Sequence, residues 1–343
     1  MTSPKASPSS IIIVQPGIVF KTADTLSLAV KDQMPFWREQ VGHVVDANTS
    51  RAQIIHGFRA RINRYFIDDF LFTETAGDPI HLSRSVSRVS VDRSRGYAFH
   101  LTLTGGLGEV RGGSTKRSTK SVEQGIVAFD LDQPFVHERP AHRLLNFIVP
   151  KAMVAESIVD IDALHSQVVD RASPLVGLVF EHMAALMRDI PWLSAEDAAA
   201  ALSVGLRLMM ASFNMNWRRN AVAHDAAHLA IIHKMYRYIN EHLHEHGLNS
   251  LLLAKVFGVR SASLQRWFTN EGSVEGYIRY KRLRAAADQL VRFPNRTMED
   301  IALGLGFRSV QDFTAGFRFA FCTAPSEARA EGLALKARTV FAG

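Results

Sequence analysis

Two stretches of this 343-residue chain carry one pattern twice, and the repetition restricts its last third more tightly than any other feature. The first copy is "LNSLLLAKVFGVRSASLQRWF", Leu248–Phe268. Its helix starts near Asn249 or Ser250 and stops at Gly258. A second helix starts near Arg260–Ser261, with Leu264, Trp267 and Phe268 as inward residues. The second copy is "TMEDIALGLGFRSVQDFTAGFRFAF", Thr297–Phe321. Thr297 with Asp300 reads as a capping box, Gly306 ends the helix, and Ser309 with Asp312 reads as the box of the next. Its inward residues are Phe313, Phe317 and Phe321. Aligning Gly258 with Gly306 also aligns Ala254 with Ala302. The small residue lets the second helix cross close over the first, and glycine permits a left-handed turn. A helix, a short glycine turn and a second helix describe a helix-turn-helix.

With the apolar side inward, the other side of each second helix is presented. That side carries Arg260, Ala262, Gln265 and Arg266 in the first copy, and Val310, Gln311, Thr314 and Ala315 in the second. Arg and Gln can make bidentate contacts with guanine and adenine edges. The plain alternative is a solvated polar face, and duplication within a basic segment favours DNA over it. Of the net charge of +7, residues 221–343 supply +5 (16 Lys+Arg against 11 Asp+Glu) and residues 1–220 only +2 (24 against 22). A basic domain beside a near-neutral one points to a polyanion. The segment between the copies reads as a helix of about 18 residues, roughly 27 Å long, against about 34 Å between successive major grooves. Arg279, Lys281, Arg282 and Arg284 make it basic and suited to phosphates.

The length allows two domains or three small ones. With 47% hydrophobic and 21% charged residues, the composition argues against a disordered or fibrous chain. The one cysteine, Cys322, permits no internal disulfide, which fits a reducing cytoplasm. The apolar run near the N-terminus is too short for a signal-peptide core, and no run approaches a membrane span. Residues 1–12 are expected to form a disordered tail, 13–220 a sensing and dimerisation domain, 221–232 a linker, and 233–335 the double helix-turn-helix.

From about Pro35 to Pro150 the chain reads mainly as β. "YAFHLTLTGG" places Tyr97, Phe99, Leu101 and Leu103 on one face and Ala98, His100, Thr102 and Thr104 on the other. "VEQGIVAFDLDQPF" and "RLLNFIVP" add strands, and "RGGSTKRSTKS" reads as an exposed loop. Several short strands with turns between them suggest a small barrel or sandwich. After Pro150 the texture is helical. "SAEDAAAALSVGLRLMMASF" opens with Ser194 and Asp197 and carries a stripe of Leu202, Leu206, Met209 and Phe213. That stripe packs either on its own barrel or along a dimer seam.

Metal chemistry finds little support. His56, His81, His100, His137 and His142 lie in the β region without a His-x-His pair, and "EHLHEHG" and His224/His228 read as a solvated helix. No nucleophile–His–acid set, phosphate loop or dinucleotide fingerprint appears. A ligand pocket, if present, is expected at His100, Thr102, Phe129 and Phe147, and the plain alternative is a filled core.

"YIRYKRLRAAADQL", followed by "TMEDIALGLGFRSVQDFTAGFRFAFCTAPSEAR", resembles the DNA-binding domain of AraC/XylS-type transcription regulators. The resemblance spans Leu248 to Arg329. It rests on Arg282–Leu283, Ile301–Ala302, Gly306–Phe307, the Phe313/Phe317–Arg318 spacing and Pro325-Ser326-Glu327. It implies two helix-turn-helix motifs joined by a long helix, reading bases through Ala262, Gln265 and Arg266, then Val310, Gln311, Thr314 and Ala315. Phosphate contacts are expected at Arg260, Ser261, Lys281, Arg308, Ser309 and Arg318. Three positions depart from the family pattern. Arg260 replaces a usual serine cap, Ala315 a common arginine, and Cys322 a usual glycine. "YAFHLTLTGG", "QGIVAFDLDQPF" and "LLNFIVPKAMV" resemble the family's sensor domain, over about residues 35–155. That implies a cupin-like β-barrel, a place for a small-molecule effector, and dimerising helices.

The expectation is therefore an α+β protein: a cupin-like barrel with flanking helices, then an all-α domain with two helix-turn-helix motifs. It is a cytoplasmic homodimer and not an enzyme, with no cofactor and no membrane partner. Its partners are promoter DNA, an unidentified effector and RNA polymerase. The rival is a cupin-type metalloenzyme with a helical accessory domain. A third reading keeps the regulator but makes its barrel a ligand-independent dimerisation device.

Overall fold

A computed structural model describes residues 9–92, 96–112, 122–158, 161–220, 226–269 and 272–341. The basic loop at 113–121, His224 and the side chain of His228 lie outside what it describes. The chain forms two compact units. The first takes the described residues of Met1–Ser83, Ser94–Arg111 and Arg117–Val222, and the second those of Arg84–Arg93, Gly112–Lys116 and Ala223–Gly343.

The first unit is built on strands β1 (Ser9–Gln15), β2 (Ile18–Asp24), β3 (Asp46–Asn48), β4 (Ala60–Ile67), β5 (Phe70–Gly77) and β6 (Ile80–Arg84). They are followed by β7 (Gly96–Thr104), β8 (Glu109–Gly112), β9 (Gly125–Asp130), β10 (Phe135–Arg139), β11 (His142–Pro150) and β12 (Val168–Asp170). The expected β-rich region is present. Its strands divide between an eight-stranded sheet, ordered β1-β2-β4-β5-β11-β7-β9-β12, and a four-stranded sheet, ordered β3-β6-β10-β8. Residues 9–12, expected in a disordered tail, belong to β1, which pairs antiparallel with β2 from Ser9↔Ala23.

Strand period decides what each face of the large sheet meets. Along β7, Tyr97, Phe99 and Leu101 enter one core, and Ala98 enters another. The first core is closed by helices α5 (Pro174–Asp189) and α6 (Ala195–Asn220); the second lies between the two sheets. Helices α1 (Val30–Val41), α2 (Arg51–His56) and α4 (Lys151–Ala155) complete this unit. The reading of the α6 stripe as a dimer seam is corrected. Leu202, Leu206, Met209 and Phe213 are 0%, 4%, 0% and 5% exposed, filling the first core against α5 and the sheet. Four side chains already enclosed by their own chain leave nothing for a second copy to cover.

The second unit is helical: α3 (Val86–Val91), α7 (Ala226–Glu241), α8 (Ser250–Phe257), α9 (Ser261–Trp267), α10 (Val274–Arg292), α11 (Met298–Gly304), α12 (Val310–Phe321) and α13 (Pro325–Phe341). The expected linker at 221–232 is helical from Ala226 onward. Two cores organise the unit. One joins Met235, Ile239, Leu253, Leu264, Phe268 and Ile278, from α7 through α9 and the start of α10. The other joins Leu283, Leu290, Ile301, Phe313, Phe317 and Ala328. Helix α10 serves both. Residues 84–92, which the sequence places inside the sensing domain at 13–220, pack here instead. Val86 enters the second core, Ser87 Oγ donates to the Ala328 carbonyl (3.0 Å), and Arg284 donates to Ser90 Oγ (3.1 Å).

Candidate nucleic-acid interface and a cavity between the sheets

The local chemistry of each helix-turn-helix follows from its caps. Asn249 accepts from Leu252 N at the start of α8, and Gly258 ends it at φ +65°. The next helix, α9, begins at Arg260, whose side chain makes no capping bond. Replacing a capping serine by such a residue weakens a helix start by about 1 kcal/mol. In the second copy Thr297 and Asp300 form the reciprocal box on α11. Ser309 caps α12 by accepting from Asp312 N. The expected return bond from Asp312 is replaced by another use of its carboxylate, which accepts from Arg279 at 2.8 Å. Gly306, at φ +74°, has a second constraint: a Cβ there would lie 2.7 Å from the Arg282 guanidinium. Cys322 ends α12 at φ +55°, in the left-handed conformation that glycine adopts more readily.

The anchored and presented faces separate cleanly on α9. Leu264 and Trp267 are buried; Ala262, Gln265 and Arg266 are exposed. On α12, Phe313, Gly316 and Phe317 are buried, Gln311 and Ala315 are exposed, and Val310 and Thr314 are half-buried. Arg260, Ser261, Arg308 and Arg318 are exposed, while Ser309 is half-buried with its hydroxyl at the α12 cap.

The connecting helix differs from expectation. Its 19 residues span about 28 Å, close to the expected length, yet three of the four basic residues expected to face phosphates are bonded to other parts of the protein. Arg279 binds the Asp312 carboxylate and carbonyl. Arg282 donates to the carbonyls of Leu243, Gly306 and Glu245. Arg284 pairs with Asp288 at 2.9 Å and is buried. A guanidinium offers five donors in a fixed fork, so it can tie loop carbonyls together where a lysine could not. The expectation that these three arginines face phosphates is therefore corrected. Lys281 is half-buried with its ammonium 5.6 Å from the Tyr277 ring centre.

In the first unit a cavity of about 90 Å³ lies between the sheets. Apolar walls include Trp37, Phe58, Ile62, Leu82, Phe135 and Ile148. Polar residues reaching it include Arg64, Thr73, His100, Arg139, His142 and Asn146. Of the four residues expected at a pocket, His100 lines this cavity, and Thr102, Phe129 and Phe147 do not. Register explains the last: Phe147 pairs with Phe99 and Asn146 with His100, so Phe147 faces the α5/α6 core. Phe129 stacks on Phe135 (4.3 Å) behind the cavity wall, and Thr102 is buried on the His100 face, beyond the lining.

Arg139 is the residue that sequence reasoning missed. Strand β10 buries Phe135, His137 and Arg139 alternately, so the period-2 rule applied to "FVHER" would have placed Arg139 inside. Its guanidinium donates to His100 Nδ1 (2.9 Å) and reaches His137 Nδ1 (3.5 Å). His137 Nε2 donates to the Leu107 carbonyl (2.8 Å) and His142 Nδ1 to that of Pro140 (2.9 Å). Burial, and then the neighbouring guanidinium, hold these imidazoles neutral. His137 and His142 are lowered to about 3, and His100 well below the ordinary value. A cation among three histidines also opposes a metal ion, and no group of three metal-binding side chains occurs among the described residues.

Among known proteins, one family match falls on the helical unit. The helix-turn-helix domain family matches residues 253–331. Regulatory protein SoxS of Escherichia coli K12 is 37% identical over 105 residues, covering 30% of this chain and 96% of that protein. SoxS of Salmonella typhimurium LT2 matches to the same extent. Among solved structures, the AraC-like transcriptional activator CuxR covers 78% of this chain and 95% of its own at 17% identity, with a TM-score of 0.49. ToxT of Vibrio cholerae covers 68% and 88% at 12% identity, with a TM-score of 0.37. These two likenesses are too distant to carry an argument. The SoxS match spans nearly a whole relative, and the family match at residues 253–331 falls on the two glycine-broken helix pairs. The chain belongs to the AraC/XylS-type family of DNA-binding transcription regulators, which are not enzymes.

Proposed function

We propose that this regulator reads specific promoter sequences through α9 and α12, and that a small-molecule effector bound in the cupin-like β-rich unit controls it. The observation that carries the reading is the separation of faces on α9. Leu264 and Trp267 lock the helix into a core, and Gln265 and Arg266 project from it with the donor geometry that purine edges accept. Bases would be read by Ala262, Gln265 and Arg266 and by Val310, Gln311, Thr314 and Ala315. Arg260, Ser261, Lys281, Arg308, Ser309 and Arg318 would contact phosphates. With Ala315 at its centre, α12 is the weaker reader.

The reading extends to a cytoplasmic homodimer that works with RNA polymerase and holds no cofactor. Its dimer contacts lie elsewhere than the buried stripe of α6. Among the described residues no helix is long and apolar enough to cross a membrane. Selection of bound DNA from a random pool tests the central claim. A single enriched motif is expected, and equal affinity for enriched and random DNA at physiological salt would reject specific reading.

A further inference from the structure

Arg139 and Arg64 both reach the cavity, and both are buried, at 8% and 7% exposure. Arg64 bonds to Gln40, through its side-chain oxygen (3.3 Å) and carbonyl (2.8 Å). Arg139 bonds to two neutral imidazoles. Among the described residues no carboxylate lies within ion-pair distance of either guanidinium. A buried cation without a counter-charge is expensive, because desolvation is not offset by pairing. The other buried arginines described are paired: Arg84 with Asp92 (2.7 Å) and Arg284 with Asp288 (2.9 Å). The cavity is the exception, and its cations come from two strands of different sheets, β4 and β10.

Among the described residues, four polar atoms at the lining are buried with no protein partner. They are Thr73 Oγ1, Arg139 Nε, His142 Nε2 and Asn146 Oδ1. Arg139 Nε can only donate, and the threonine hydroxyl can donate or accept. His142 uses its Nδ1 proton on Pro140, so its Nε2 is an acceptor. The set therefore asks for an anion with acceptor oxygens, carrying a hydrogen-bond donor elsewhere. The remaining walls are aromatic and aliphatic, which calls for an organic body rather than an inorganic oxyanion.

We infer that the cavity binds a small organic carboxylate with a compact apolar body, its carboxylate neutralising Arg139. The inference rests on the proposed effector-binding role of this unit and names the ligand class. Burial lowers Arg139 to about 9, so at neutral pH it is still predominantly the cation that such a carboxylate would pair with. A planar carboxylate matches a guanidinium fork, and a ring or short chain fits against Trp37, Phe58 and Phe135.

The test compares isosteres that differ only in charge, using the full chain. Benzoate, 3-hydroxybenzoate and hexanoate are titrated beside benzamide, 3-hydroxybenzamide and hexanamide, with thermal shift and calorimetry as readouts. At least one carboxylate should bind ten times or more tightly than its amide, and Arg139→Gln should remove that preference. Should Arg139→Gln fail to fold, Ala98→Leu narrows the cavity while keeping the guanidinium, and it should weaken carboxylate binding by the same order. Amides binding as well as carboxylates would overturn the anionic class while leaving a ligand pocket in place. No response to any carboxylate would also overturn it. Affinity for the selected DNA, measured on the same samples, separates this from the regulator reading. A carboxylate that binds without changing DNA affinity supports the ligand class and rejects effector control.

Discussion

Arg266 and the buried histidines show how differently single residues can matter. Arg266 is exposed and its removal disturbs no core. Arg266→Ala should cost about 1–3 kcal/mol of DNA binding and relax preference at one base pair. Footprinting and competition with single-base variants of the selected site would measure it, and an unchanged profile would withdraw the residue from the base-reading set. The histidines act through protons. His137 and His142 are lowered to about 3, chiefly by burial and then by Arg139, and His100 is lowered in the same way. The unfolded chain binds protons below about pH 6.5 that the folded one refuses. Their contribution is therefore fully present above about pH 6.5 and declines as pH falls toward 3, by about 1.4 kcal/mol per pH unit for each histidine. Thermal melts between about pH 7.5 and pH 5 should show the first unit losing stability, and a flat profile would mean that these imidazoles titrate freely.

At the scale of elements, two helices have roles that their local sequence does not announce. The apolar stripe of α6 is core. Leu206→Ala should destabilise the first unit by about 2–5 kcal/mol, read by chemical denaturation, with a cost that does not depend on protein concentration. A cost that grew on dilution would restore the dimer-seam reading. Helix α3 lies between two strands of the β-rich unit in sequence, yet it packs with α10 and α13. Its Val86 is 2% exposed in that helical core. Val86→Asp should therefore lower the melting temperature of the helical unit and weaken DNA binding. A loss confined to the β-rich unit would show that α3 is not part of the helical core in solution. The six-residue "VSRVSV" carries no signal for this, because its period fits any buried short helix.

Across the whole molecule, charge is what couples the chain to a polyanion. The exposed cations on the proposed face are Arg260, Arg266, Arg308 and Arg318. With three or four phosphates neutralised, log affinity should fall with log salt at a slope of about −3 to −4. Arg318→Ala should reduce that slope by about one while leaving sequence preference intact. A slope near zero would remove the electrostatic basis of the interface. Arg279, Arg282 and Arg284 do not enter this count, because their guanidinium groups hold the second unit together.

Local chemistry made the helical unit legible. Capping side chains, glycines at φ +65° and +74° and aromatic spacing are short-range signals, and all of them lie within the two short repeated stretches. The buried and exposed faces of α9 follow from helical period, as do the two faces of β7 from strand period. Three-dimensional packing decided the rest. Phe147 and His100 lie on opposite faces because β11 pairs with β7 in one register, and a shift of one residue would have exchanged them. Arg139 and Arg64 meet one cavity only because two sheets face each other. Arg282 reads as a phosphate ligand until the loops it ties are brought beside it. Sequence period determined which side of an element is apolar, and only the tertiary structure decided what that side, and each buried charge, would meet.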